Sequence, residues 1–321
     1  MTPRSSATLL VLLLGGCDVD TTVGYNDGEG ALVGGARCTA EAPLGRCAGS
    51  PCVVTDLFDP PLGAITIAVD AENAFFLSGP QALARRPLAG GPSVDLASAD
   101  STLMRMTIDD RYVYWTELNG KARGVPKAGG ASFDAGYVFG NPTDIAVDSE
   151  YLYWVLPGFG EVAMAPKPSG EATHIGGQGE PRAIAVDATH VYWVNATELV
   201  RALRGNLASA EVILSDLDDP VAISVSDDAV YWASKNAVFR LPKDGAGEAA
   251  QIAGGFDEVK AIAVFGNTVY GAGMDGLWRV PVSGDDPFLL DRRPMSALTL
   301  TCSGVYASGW FDSVFVRYAP Q

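Results

Sequence analysis

The sequence predicts an all-β chain: a seven-bladed β-propeller of four-stranded antiparallel blades, the last blade closed by a strand from the N-terminal side. Three observations carry this. A short apolar run ending in a polar residue is followed five residues later by a Tyr, usually paired with Trp, and the Tyr recurs every 39 residues at Tyr114, Tyr153, Tyr192, Tyr231 and Tyr270, with Phe75 39 residues before and Tyr306 36 residues after. Self-similarity at such a period marks propellers and solenoids, and the runs alternate with period two and lack helical spacing, which selects the propeller. The chain ends at Gln321, just after the third segment of the seventh copy, whereas residues 52–60 (CVVTDLFDP) match 212–220 (VILSDLDDP), the fourth segment of the fourth copy.

Each copy holds four short segments. The first reads Ile67-Ala68-Val69-Asp70 and recurs as MTID, IAVD, IAVD, ISVS, IAVF and LTLT, large apolar residues alternating with small ones as a strand in a crowded inner position requires. Asp70, Asp109, Asp148 and Asp187 end this segment and are expected to cap the following turn. The second segment carries Val113-Tyr114-Trp115 and its copies, rich in strand formers, with Trp115, Trp154, Trp193 and Trp232 expected to pack between blades. The third, such as Val238–Lys243, closes on a Pro, which cannot donate to a ladder. The fourth is weaker, as in Val212-Ile213-Leu214 or Phe288-Leu289-Leu290. Such sheets cannot bury their faces alone; radial stacking covers them and ring closure protects the edges.

The N-terminus reads differently. Arg4 and the apolar run Ala7–Leu14 form a segment too short for the roughly 20 residues a membrane-spanning helix needs. It reads as a signal peptide over residues 1–16. Leu14-Gly15-Gly16-Cys17 resembles a bacterial lipobox, which makes Cys17 the lipidated first residue of the mature chain. Residues 17–51 form an acidic, Gly-rich tether, its stretch 18–37 having an average reach of about 25 Å; residues 52–321 form the propeller. The expected location is the cell envelope, with the chain lipid-anchored to the inner or outer membrane and facing the periplasm or the surface.

With Cys17 assigned to lipid, Cys38, Cys47, Cys52 and Cys302 remain, an even number in an oxidising compartment. Three pairings are possible. Cys38–Cys47 is favoured as a local loop, and Cys52–Cys302 as a lock on the ring, a bond worth about 5 kcal/mol in the chain-entropy model. The formal charge of −16, with no basic stripe, argues against nucleic acid and against an anionic membrane surface as partners.

The Tyr-Trp-Thr-Glu at 114–117 and the Tyr-Trp pairs at 153, 192 and 231 resemble the YWTD repeats of extracellular propellers, and residues 52–321 as a whole resemble TolB-like and NHL-like bacterial propellers. The chain departs from the YWTD pattern in having one copy with Thr and an acid after Tyr-Trp, and seven units against that family's six. The resemblance implies the fold and leaves the ligand open.

Residues shared by every copy serve the blade, so function is sought where copies differ. Loops joining second to third and fourth to first strands emerge on one face. Candidate rim residues for a ligand there are Glu117, Phe159, Asn195, Asp218, Asp219, Trp310, Phe311 and Asp312. An acidic rim with aromatics suits a basic peptide, or a sugar stacked on the rings. The expectation is a monomeric binding or scaffold module for a protein, peptide or glycan, with no cofactor. The alternative is a metal-dependent hydrolase or lyase working in the channel, which some similar propellers are. His174 and His190 lack metal-ligand spacing, and neither a Gly-x-Ser-x-Gly elbow nor a phosphate loop is present, so no enzyme is expected.

Overall fold

The computed structural model describes residues 31–33, 36–38, 52–58, 66–243, 247–301, 303–309 and 315–320; for 31–33, 36–38, 52–54, 58 and 319–320 it describes the backbone alone. Seven four-stranded antiparallel sheets form the blades of a propeller. Their innermost strands are Ile67–Val69, Leu103–Ile108, Asp144–Val147, Ala183–Val186, Ala222–Val225, Val259–Phe265 and Met295–Thr301, which define blades 1 to 7. Each packs beside the next around a ring that closes between Met295–Thr301 and Ile67–Val69. Third strands end on Pro87, Pro126, Pro166, Pro242, Pro281 and Pro320, where a residue without an N–H ends the ladder. Among the described residues no helix is long and apolar enough to cross a membrane.

The Tyr-Trp pair works because adjacent strand residues face opposite sides of a sheet. Trp115 packs in one cluster with Phe75 and Leu77 of the preceding blade. Tyr114, beside it, joins the cluster of Trp154 in the following blade, and the pattern repeats as Tyr153 with Trp193 and Tyr192 with Trp232. Every one of these rings is buried. Blade 6 breaks the pattern and repairs it. Gly271 stands where the Trp should be, and Trp278, its cross-strand partner, fills the junction with Tyr231. A Cβ on Gly271 would lie 2.0 Å from the Trp278 ring, so the position is glycine because the ring occupies its space.

The Asp that ends the inner segment in blades 1 to 4 does more than cap a turn. Asp109 Oδ1 accepts from the amides of Arg111 and Tyr112, both at 2.8 Å, and Asp70, Asp148 and Asp187 repeat the geometry. The second oxygen reaches across the junction to a cation of the next blade. Lys127 pairs with Asp70 at 3.1 Å, Lys167 with Asp109 at 2.7 Å, Arg204 with Asp148 at 3.4 Å, and Lys243 with Asp187. The Tyr153 and Tyr192 hydroxyls donate to Asp148 and Asp187, both at 3.0 Å. Burial and the neighbouring carboxylate push both phenols well above their ordinary range, so they remain donors. Lys127, Lys167 and Lys243 also lie over the rings of Phe75, Tyr114 and Tyr192 at 5.1–5.9 Å. Where the acid is missing, so is the cation: blade 5 has Ser226 and the position equivalent to Lys243 is Val282, while blade 7 has Thr301 and the equivalent is Leu88. Val282 and Leu88 pack into apolar clusters at those junctions.

Blade 7 is completed as the sequence predicts. Cys52–Phe58 pairs antiparallel with Phe315–Pro320, from Cys52 opposite Pro320 to Phe58 opposite Phe315. Arg293 ties this strand to blade 6, donating to Asp56 at 3.0 Å and to Asp291 at 2.7 Å, and the Tyr318 hydroxyl also donates to Asp291. Within the segment read as tether, Ala31–Val33 pairs with Ala36–Cys38 as a two-stranded ribbon. Cys17, Cys47 and Cys302 lie outside the described residues, and the side chains of Cys38 and Cys52 do as well.

Two outcomes follow from these ties. Asp187 and Lys243 are nearly buried, so Asp187→Ala should lower stability by about 3 kcal/mol through the unpaired ammonium it leaves. The double variant Asp187→Ala, Lys243→Met should recover most of that in urea titrations. Burial acts to raise the Asp187 carboxyl, but Lys243 and the Thr189 and His190 amides outweigh it and hold the group below its ordinary value. Its contribution is therefore complete above the unfolded carboxyl's pKa of about 4 and is lost as pH falls through the folded value, so melting scans should steepen in pH dependence below about pH 4 in wild type and less so in Asp187→Ala. Removal of residues 1–51 should leave melting unchanged, whereas removal of residues 1–58 should lower it and promote association through the bared edge of Phe315–Pro320, read by calorimetry and light scattering.

Candidate functional site

The two faces of the disc divide the labour. The face with the first-to-second and third-to-fourth connections carries the repeated Asp, Lys and Arg ties. The opposite face carries the loops in which copies differ, and its residues need accounting for one by one. Glu117 ends the strand Tyr112–Glu117 fully buried; its oxygens accept from Trp115 Nε1 at 3.1 Å and Asn119 Nδ2 at 3.3 Å. It is thus a core acid of blade 2 and not a rim residue, a correction the strand position explains. Asn195 is likewise buried: its Oδ1 accepts from the Thr197 and Glu198 amides and its Nδ2 donates to Glu198 at 2.8 Å, so it shapes its own turn. Asp219 takes a left-handed conformation and pairs with Arg182, while Asp218 is exposed beside it. Phe159 is half exposed. Trp310, Phe311 and Asp312 lie outside the described residues.

Phe159 has a partner that sequence reading missed. Its ring meets that of Phe139 edge to face at 5.4 Å between centroids, and the two are 50% and 67% exposed. Phe139 comes from the loop between blades 2 and 3, and Phe159 from the second-to-third connection of blade 3, a single 3-10 turn over Pro157–Phe159. Leu118, 41% exposed, stands on the corresponding connection of blade 2. The turn is held: Gly160 N–H donates to Pro157 C=O at 3.0 Å, and Gln178 N–H donates to Gly160 C=O at 2.9 Å. Gly140 lies beneath the Phe159 ring, where a Cβ would come within 2.9 Å of it. Large aromatic rings shown to solvent on fixed turns are the usual anchors of an interface. Nothing in the 39-residue period signals Phe139, because the pairing comes from loops of two different blades.

The channel along the ring axis is a concave feature of about 300 Å³, lined by all seven inner strands. Its walls are mostly Ile, Ala and Val, as the repeat predicts. Its end on the variable-loop face is polar, with Arg105, Asp144, Arg182 and Lys260 at the beginnings of the inner strands. Polar side chains staple neighbouring strands there: Thr66 Oγ1 accepts from Met106 N–H at 3.2 Å, Asp144 Oδ2 from Ile184 N–H at 2.9 Å, and Ser224 Oγ from Val264 N–H at 3.1 Å. Burial raises the Asp144 carboxyl above its ordinary value, against the lowering pull of the Ile184 amide, Arg105 and the Ile145 amide. Arg105, Asp144, Arg182 and Lys260 precede the IAVD-type segments by one or two positions, and a reading that starts at the Ile overlooks them.

Among the described residues, no group of three or more His, Cys, Asp or Glu is placed to hold a metal ion. His174 stands 3.7 Å from Glu161, and His190 shares a hydrogen bond with the Thr189 hydroxyl.

No protein-family model matches the sequence. None of the curated proteins compared is detectably similar. Among solved structures, the chain is similar to the crystal structure of the computationally designed Ika8 protein, with a TM-score of 0.62 at 13% identity over 82% of this chain and 98% of that one. It is also similar to a nidogen/laminin complex, with a TM-score of 0.48 at 18% identity over 58% of this chain and 79% of that one. At 13% identity the likeness to the designed protein is one of fold.

Proposed function

We propose that this protein is a binding scaffold, a rigid propeller that holds a protein or peptide partner on its variable-loop face. The observation that carries this reading is the Phe139–Phe159 pair with Leu118 nearby, apolar surface held outward on tethered turns. Burying two such rings would contribute about 3 kcal/mol or more to an association. Exposed carboxylates on the same face, Asp218 among them, favour a partner whose apolar anchor is flanked by Lys or Arg. Selection from a displayed random-peptide library should enrich basic sequences with one or two large apolar residues on the wild-type protein and not on a Phe139→Ser, Phe159→Ser variant of equal melting temperature. Equal enrichment on both would remove this patch as the docking site.

The N-terminus completes the proposal. We infer that Cys17 carries a lipid that holds the scaffold at an envelope membrane, on the strength of the Leu14-Gly15-Gly16-Cys17 sequence after a short apolar run. Expressed in a host with lipoprotein processing, the wild-type chain should partition into the detergent phase of a Triton X-114 separation and a Cys17→Ala variant into the aqueous phase. Partition of both into detergent would refute the lipid attachment.

A further inference from the structure

The polar end of the channel holds a feature that the partner face does not use. Of its three cations, two are committed to rim carboxylates: Arg182 pairs with Asp219 and stands 3.7 Å from Glu180, and Lys260 pairs with Glu258 at 2.6 Å. Arg105 is not committed. Its hydrogen bond among the described residues runs from Nη1 to the carbonyl of the adjacent Met104 at 2.9 Å, and it forms no ion pair with any described carboxylate. Asp144 shares the channel and feels the Arg105 charge, but its oxygens accept from the Ile145 and Ile184 amides at 3.0 and 2.9 Å. A half-buried guanidinium therefore opens on a channel of about 300 Å³ whose remaining wall is mostly Ile, Ala and Val, with Thr and Ser side chains such as Thr107, Ser224 and Thr299 among them. That size is at the lower end of small-molecule sites, which join an apolar lining to a few fixed polar groups.

The two halves of the site ask for different chemistry. A planar, always-charged fork with free N–H groups is best met by a carboxylate, which it can hold through two parallel hydrogen bonds. The apolar wall is best met by hydrocarbon. Inorganic anions satisfy the first and not the second; neutral hydrocarbons and alcohols do the reverse. We propose that the channel binds a small amphipathic carboxylate, with the acid group on Arg105 and the hydrocarbon part along the isoleucine and alanine wall. This site is separate from the Phe139–Phe159 patch and stands whether or not that patch docks a partner.

The test uses the full chain and three probes: sodium hexanoate, 1-hexanol and inorganic phosphate, titrated by calorimetry with ligand-observed saturation-transfer NMR. Hexanoate should bind at least about tenfold more tightly than either of the others, the difference a charge-assisted pair supplies. Arg105→Gln should weaken hexanoate by at least about tenfold and leave 1-hexanol and the melting temperature unchanged. Arg105→Lys should retain part of the affinity, and Lys235→Gln, on the rim, all of it. Absence of hexanoate binding at millimolar concentration, phosphate binding as tight as hexanoate, or indifference to Arg105→Gln would each overturn the proposal. Should Arg105→Gln fail to fold, isoleucine methyl spectra of the unaltered protein decide: hexanoate must shift channel isoleucines such as Ile145 and Ile184, and shifts elsewhere, or none, refute the site.

Discussion

The buried contact between the Asp of one blade and the Lys or Arg of the next is the interaction on which the rest of this propeller depends. Each carboxylate has three duties: it accepts two turn amides, meets a Tyr hydroxyl in its own blade at Asp148 and Asp187, and neutralises a cation from the neighbouring blade. The fit couples local and long-range structure, since the group that closes the turn also sets the spacing between blades. A buried carboxylate without its cation would cost several kcal/mol, and so would the cation alone. The chain follows this rule where Ser226 and Thr301 replace the Asp: the positions equivalent to the cation are Val282 and Leu88, which pack into apolar clusters.

With those ties on one face and the Tyr-Trp clusters between the blades, the connections of the opposite face are released from the repeated pattern. Its connections can vary because ladder and junction hold the strands regardless. Blade 3 uses that freedom for the Pro157–Phe159 turn, and the loop after blade 2 for Phe139. The channel follows the same division. Its middle and far end are built of the repeated Ile, Ala and Val, while the end under the variable loops gathers Arg105, Asp144, Arg182 and Lys260, each from a different blade. The junctions thus come in two kinds, charged and apolar, each used more than once, whereas the surface chemistry follows no repeat.

Much of the frame was legible in the residues. The period of 39, the alternation within each segment and the match of residues 52–60 to 212–220 led to seven blades and to the closing strand, and the register of Cys52–Phe58 on Phe315–Pro320 agrees. The turn-capping role of Asp70, Asp109, Asp148 and Asp187 was also readable, because it is local. Their second role was not read, although Lys127, Lys167, Arg204 and Lys243 recur with them, because a cation in the next copy looks like ordinary surface charge until the blades are stacked. Glu117 and Asn195 were misplaced on the rim for a related reason. Loop membership is read from sequence position, whereas burial depends on what packs over the strand end.

The sequence by itself determined the repeat, the count and the order of strands, because these follow from periodicity and from the need of each half-exposed sheet to be covered by a copy of itself. Only the tertiary structure decided which charges are spent and which are left over. Among the described residues Arg182 and Lys260 are committed to rim acids and Arg105 is not, and Phe139 meets Phe159 although 20 residues separate them in the chain. Those outcomes are set by distances between different blades, and such distances exist only once the ring has closed.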